Sequence, residues 1–305
     1  MNSRFAVLVL CLSSIGWGLA WLPIKGLNNM GLDTPHIIII AFTSAALALL
    51  PWTMKQRRAW LPALPMMLAL GFLGGFANVA FQTAISEGDV IRVMILFYML
   101  PIWSVLGGKI FLNEAIDKRR IAALFICVGG AFFILEAWNF SWTSFSGIDL
   151  LALGAGVGLA STNILFRFTA SVPLASKIGF MFTGCVMLML IPLLLFPHFI
   201  AANTDWLLTV PLPDNGAVPL AMAYGMIWIM LISFGSLWAV TQIEAGRSAV
   251  ILVLELVAAV TSVVLITHSD LKSHELIGGI MVLIAALLEE TRPEPKEKTH
   301  QPSKL

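Results

Sequence analysis

Residues 84–92 read AISEGDVIR, and residues 239–247 read AVTQIEAGR. The two stretches lie 155 positions apart and align without a gap, so Asp89 and Arg92 fall on Glu244 and Arg247. An acid followed three positions later by an arginine therefore opens an apolar run twice in one chain. Self-similarity at one fixed offset marks an internal repeat. What lies between the copies decides what the repeat means. If five spanning helices separate them, an odd number, the copies enter a membrane upside down relative to each other. Two such halves can rock about a site near the midplane.

The composition places the chain in that setting. Of 305 residues, 59% are hydrophobic and only 11% are charged, against about 25% charged in a soluble domain. So few charges cannot coat a water-facing surface, and the bilayer is the solvent that removes the need. Residues 289–305 (EETRPEPKEKTHQPSKL) hold eight of the 35 charges, and 291–305 reads as a disordered cytoplasmic tail. A spanning helix takes about 20 apolar residues. Ten of them fit before residue 290, with no room for a soluble domain.

Apolar runs bounded by Pro, Gly and charge give ten candidate spans: 5–24, 35–54, 62–85, 90–111, 119–137, 147–168, 174–197, 218–241, 247–267 and 274–290. The expected fold is an all-α integral membrane protein of ten transmembrane helices, arranged as two inverted five-helix repeats over 1–138 and 147–290. Fifteen Lys and Arg collect on one side of these spans and three on the other, namely Lys25, Arg92 and Lys272. The excess marks the cytoplasmic face and puts both termini there. The first run, although preceded by Arg4, is read as a retained helix rather than a signal peptide, because it has a counterpart in the second half.

At this point the chain resembles the EamA-type drug/metabolite transporters, up to about residue 290. WGLAWLPIK (17–25) looks like that family's first helix, and LFYMLPIWSVLGGKIFLNE (96–114) like its fourth. ILVLELVAAV (251–260) is similar to the ninth, but Leu256 stands where the family has Pro, and Ser269-Asp270 replaces Gly-Glu. The resemblance carries over no proline hinge to that helix. It implies a secondary transporter of the cytoplasmic (inner) membrane that exports amino acids or related metabolites.

Glu255 is the one acid deep inside a span, where an ionised carboxylate costs several kcal/mol, so it is a functional candidate. Ser248 and Ser262, seven positions to either side, are expected on its helix face. Either Glu255 is a protonatable group that binds a proton or a substrate amine in a central cavity, or it is a neutral acid gluing two helices. Other inward-facing candidates are Asn78 and Gln82, on a stripe with Gly71 and Gly75, and Trp228 and Trp238, on a stripe with Tyr224, Gly235 and Gln242. Trp17 and Trp21, one turn apart on the first helix, and Tyr98 and Trp103 on the fourth supply aromatic walls suited to a small amphipathic solute. Asn163 follows Ser161 and Thr162, of which some are expected to bond back to their own helix. For Asp89 with Arg92 and Glu244 with Arg247 two readings stand: gates at opposite mouths, or acids that cap a helix and pair with the Arg one turn on. Lys25 and Arg167 read as snorkelling cations. Glu114 reads as the cap of a cytoplasmic turn, with Lys118, Arg119 and Arg120 as orientation charges.

Cys11, Cys127 and Cys185 have no ligand spacing, and no Gly-rich phosphate loop is present. No cofactor, metal or nucleic-acid partner is expected. The histidines His36, His198, His268 and His274 fall at span ends and His300 in the tail, so an intramembrane enzyme would lack a base. The expected partners are a small-molecule solute, the lipid bilayer and protons as coupling ion. A lipid-carrier flippase or a membrane-complex subunit of the same fold is the alternative.

Overall fold

The computed structural model describes residues 3–139, 145–195, 213, 215–268 and 270–291. Among these every regular element is helical, as a hydrocarbon solvent demands, since each backbone N–H and C=O must be satisfied within its own segment. In chain order the helices are α1 (Ser3–Gly18), α2 (Trp21–Asn29), α3 (Thr34–Lys55), α4 (Arg57–Trp60), α5 (Leu64–Glu87), α6 (Val90–Phe97), α7 (Leu100–Leu112) and α8 (Lys118–Ile134). They continue with α9 (Gly147–Phe168), α10 (Leu174–Leu195), α11 (Ala217–Ala223), α12 (Met230–Gln242), α13 (Ala245–Leu252), α14 (Leu254–Thr267) and α15 (Ser273–Glu290). A π-helical turn, Tyr224–Ile229, joins α11 to α12.

Seven stretches are long and apolar enough to cross a membrane: Arg4–Asn29, Thr34–Lys55, Arg57–Ile85, Val90–Leu112, Gly147–Phe168, Ala217–Gln242 and Ala245–Ile266. The other three expected spans correspond to α8, α10 and α15, which are helices but fall short of that measure. Helix α8 has 17 residues, α10 counts over Leu174–Leu190 as a shorter apolar helix among the described residues, and α15 carries Glu275, Glu289 and Glu290. Large apolar side chains such as Ile110, Phe125, Ile227 and Leu231 are exposed on the outside of the bundle, which suits lipid. The end of the seventh expected span, Trp142, His198, Trp206, Ser269, His300 and the tail 292–305 lie outside the described residues.

Three spans expected to be continuous are pinched midway. Pro23 has no N–H and its ring crowds the carbonyl four residues back, at Leu19. Accordingly α1 stops at Gly18, and Leu22 N–H reaches Leu19 O over a tight three-residue step at 3.1 Å. Pro101 acts in the same way on Phe97, the last residue of α6. The third pinch, at Val253 between α13 and α14, has no proline: Leu256 occupies that place, and its N–H bonds Val253 O at 3.0 Å. These breaks correct three expectations. Trp17 and Trp21 flank a pinch instead of following each other on one helix. Ser248 lies on α13, whereas Glu255 and Ser262 lie on α14. The Tyr224-to-Gln242 stripe crosses the π turn, which inserts an extra residue and shifts the face.

The offset of the sequence repeat recurs in the backbone. Helix α5 ends at Glu87 and α12 at Gln242; α6 and α13 have eight residues each and start at Val90 and Ala245; α8 starts at Lys118 and α15 at Ser273. Asn113 and His268, also equivalent, both end their helices in the left-handed region, with φ of 53° and 52°. Packing partners repeat as well. Helix α1 lies against α12 and α14, whereas α9 lies against α5, α6 and α7; α10 packs on α5, and α3 on α11 and the π turn; α8 packs on α15. The α5–α10 crossing is backbone on backbone, because a Cβ at Gly184 would lie 1.9 Å from Gly71 O. Small residues permit this approach where no hydrophobic effect drives helices together.

Candidate functional site

The pinches converge on Glu255. It is the second residue of α14, in the first turn after the Val253 break, where the helix dipole favours a carboxylate. Tyr98 closes α6 at the other pinch, is buried, and donates its hydroxyl to Glu255 Oε1 at 2.9 Å. Tyr98 is the repeat counterpart of Val253, so the bond joins the broken helix of one half to that of the other. The first pinch arrives from the side: a Cβ on Gly18 would lie 2.4 Å from Glu255 O, and only glycine lets α1 come so close. Beyond that pinch Trp21 Nε1 donates to Ser262 Oγ at 2.9 Å, and the Lys25 ammonium lies 5.6 Å from the Trp21 ring centroid. Trp21, Tyr98 and Glu255 are thereby brought together along α14.

The other predicted site residues spread more widely. Trp17 and Trp228 pack on a cluster that contains Phe42 and Phe182. Trp103 and Trp238 pack on another, with Leu10, Leu100 and Ala160, and Trp238 meets Phe5 edge-on. Asn78 donates to Gly74 O of its own helix at 2.8 Å, and Gln82 is half-buried on the same helix, α5. Thr162 bonds back to Gly158 O at 2.8 Å, as expected of one of the three consecutive polar residues. Asn163 is 2% exposed, and among the described residues its Nδ2 has no acceptor; nor do the buried indole nitrogens of Trp103 and Trp228. Polar N–H groups left unpaired in an apolar interior carry a cost that a bound solute or water would relieve.

Both acid-to-arginine steps reach beyond their own helix. Asp89 does cap α6, accepting from Arg92 N at 2.9 Å, but the Arg92 guanidinium goes to Asp149. Glu244 makes no cap; its carboxylate goes to Arg120, and Arg247 goes to Glu290. The cap of α13 is supplied instead by Glu114, which accepts from Ala245 N at 2.7 Å and Gly246 N at 3.4 Å. Glu114 also takes Arg120 Nη1 at 3.2 Å and Arg167. Arg120 is 0% exposed and has Glu289, itself buried, 3.7 Å from its Nε. Sequence reasoning missed this cluster, reading Arg120 as an orientation charge and Arg167 as a snorkelling cation. The available signal was Glu114, the acid that closes the fourth-helix motif. The opposite end of the bundle holds Arg92 with Asp149, and Glu136 with His274 and Lys272. Among the described residues no cluster of His, Cys, Asp and Glu could hold a metal ion.

Apolar helices of spanning length around a buried acid define a multi-pass integral membrane protein. Residues 4–136 match the EamA-like transporter family. Among curated proteins, the chain is similar to the "Pseudopaline exporter CntI" of Pseudomonas aeruginosa, 29% identical over 163 residues, 52% of this chain and 57% of that protein. It is also similar to a "Probable terminal-alkyne amino-acid exporter" of Streptantibioticus cattleyicolor, 27% identical over 177 residues, 55% of this chain and 59% of that one. The chain thus spans a little over half the length of the curated relatives it matches. A solved chain described as "Crystal structure of protein" superposes with a TM-score of 0.72 at 15% identity, covering 94% of this chain and 96% of that one. That likeness concerns the fold alone.

Proposed function

We propose that the protein is a secondary transporter of the inner membrane that exports a small amphipathic metabolite, an amino acid or a related compound, by alternating access. Its ten helices form two inverted repeats, 1–138 and 147–290, with both termini in the cytoplasm. The exchange of packing partners between the two halves and the shared 155-residue offset support this arrangement. Export is suggested by the names of the two relatives, and an amino-acid-like solute by the name of the second. The observation that carries the reading is the Tyr98–Glu255 bond, where two pinched helices from opposite halves meet. Discontinuous helices that point their ends at the midplane are the recurrent way to build a transport site.

In this reading Glu255 exchanges its Tyr98 partner for a proton or a substrate ammonium. The unpaired N–H groups of Asn163, Trp103 and Trp228 serve as donors to the solute's acceptors, and Trp17, Trp21 and Trp238 supply apolar walls. Asn78 and Gln82 line the same path, and Asp89, Arg92, Glu244 and Arg247 take part in opening and closing its two ends. The test is uptake and efflux of a labelled metabolite panel by proteoliposomes, with and without a proton gradient. A solute accumulated by wild type should lose its gradient dependence in Glu255→Gln. Equal rates and equal gradient dependence in the two proteins would remove Glu255 from the mechanism.

A further inference from the structure

We propose that Arg120 is the keystone of a lock that closes the Glu114 end of the bundle, cytoplasmic in the orientation above, and that the lock must break for the protein to open there. The inference rests on the alternating-access reading. Three carboxylates from separate elements converge on this one buried guanidinium: Glu114 from the turn after α7, Glu244 from the start of α13 and Glu289 from the end of α15. Arg120 itself begins α8, and its Nη1 also reaches Ala115 O at 3.2 Å. Glu114 adds Arg167, at the end of α9, and the first two backbone N–H groups of α13. One set of charges therefore ties five elements at a single end.

Stability alone is a weak reason for such a set, because buried ion pairs give back in desolvation what they gain in attraction, and apolar replacements often do as well. Their best-attested use is to specify one arrangement over another. The repeat makes the point sharper. Asp89 caps its own helix α6, whereas the first N–H groups of α13 go to Glu114 and the carboxylate of Glu244, the counterpart of Asp89, reaches across to Arg120. By the same offset Arg120 falls on Glu275, so the arginine has no counterpart in the second half. The device is one-sided, and it biases the resting protein toward closure at the Glu114 end.

The experiment reads accessibility and needs no knowledge of the substrate. In full-length protein with Cys11, Cys127 and Cys185 replaced by Ala, Ser248→Cys reports the Glu114 end and Ser262→Cys the opposite half of the pinched span. Both serines are buried. A membrane-impermeant maleimide is applied to each side of oriented vesicles. Arg120→Gln should raise labelling of the first reporter about tenfold and lower that of the second, since opening one end closes the other. Glu244→Gln, at a partly exposed position and leaving Arg120 two acids, should move both reporters the same way by less. It decides the matter if Arg120→Gln does not fold. Unchanged labelling at both reporters, or a rise at both as a loosened bundle would give, overturns the lock. If instead the reporters respond as expected while no solute is transported by wild type, the lock stands and the transport reading fails.

Discussion

The Tyr98–Glu255 bond can be weighed by a double-mutant cycle. Tyr98→Phe removes the donor and keeps the ring, which packs among Phe97, Cys127 and Leu256. Glu255→Gln keeps the shape of the acceptor and removes its capacity for charge. The 2.9 Å contact is an ordinary O–H···O hydrogen bond. Interhelical hydrogen bonds within membranes average about 0.6 kcal/mol and reach about 1.7. A coupling energy in that range corresponds to a factor of roughly 3 to 18 in the unfolding equilibrium. Each single variant should lose more than the coupling term, because Phe leaves the carboxylate short of one donor and Gln offers the hydroxyl a weaker acceptor. Reversible unfolding of the four proteins in bicelles, at matched lipid composition, gives the number. Strict additivity, with the double variant equal to the sum of the singles, would refute the bond and with it the meeting of the two pinched helices at Glu255.

The same structure makes two further predictions. Gly184→Ala should cost about 3 kcal/mol, at the upper end of overpacking effects, since its Cβ would strike the Gly71 carbonyl of α5. Gly26→Ala, where nothing lies within 4 Å, should be neutral or stabilise α2 by up to about 1 kcal/mol; equal losses at the two sites in thermal unfolding would contradict the packing described. Asn163→Leu, which replaces an unpaired buried amide by an apolar side chain of similar size, should leave stability within about 1 kcal/mol of wild type. It should also cut transport in the proteoliposome assay, and undiminished transport by a well-folded variant would return Asn163 to plain packing.

Much of the architecture was legible because the signals are local or periodic. Apolar run length, the paucity of charge and the 155-residue offset all survive without knowledge of any contact, and the helices start and stop at matching places in the two halves. Glu255 was legible for the same reason, as an acid where acids are costly. The pinches were not read from the chain, although Pro23 and Pro101 are visible in it, because a proline in a membrane span kinks one helix and is absorbed in another. The cross-helix partners of Arg92 and Glu244 were not legible, because sequence spacing fixes only which groups share a helix face. Which opposite charge approaches from a neighbouring helix is a matter of how the bundle packs.

By itself, then, the sequence determined the solvent, the helical class and the acid placed deep inside a span, since each follows from the hydrophobic cost of residues one at a time. The tertiary structure decided the rest. The pinch at Val253, without proline, lies beside a crossing so close that a Cβ on Gly18 would meet the Glu255 carbonyl. The burial of Arg120 among Glu114, Glu244 and Glu289 arises from elements more than a hundred residues apart meeting at one end. Both are properties of the space between helices, and a linear pattern carries no measure of that space.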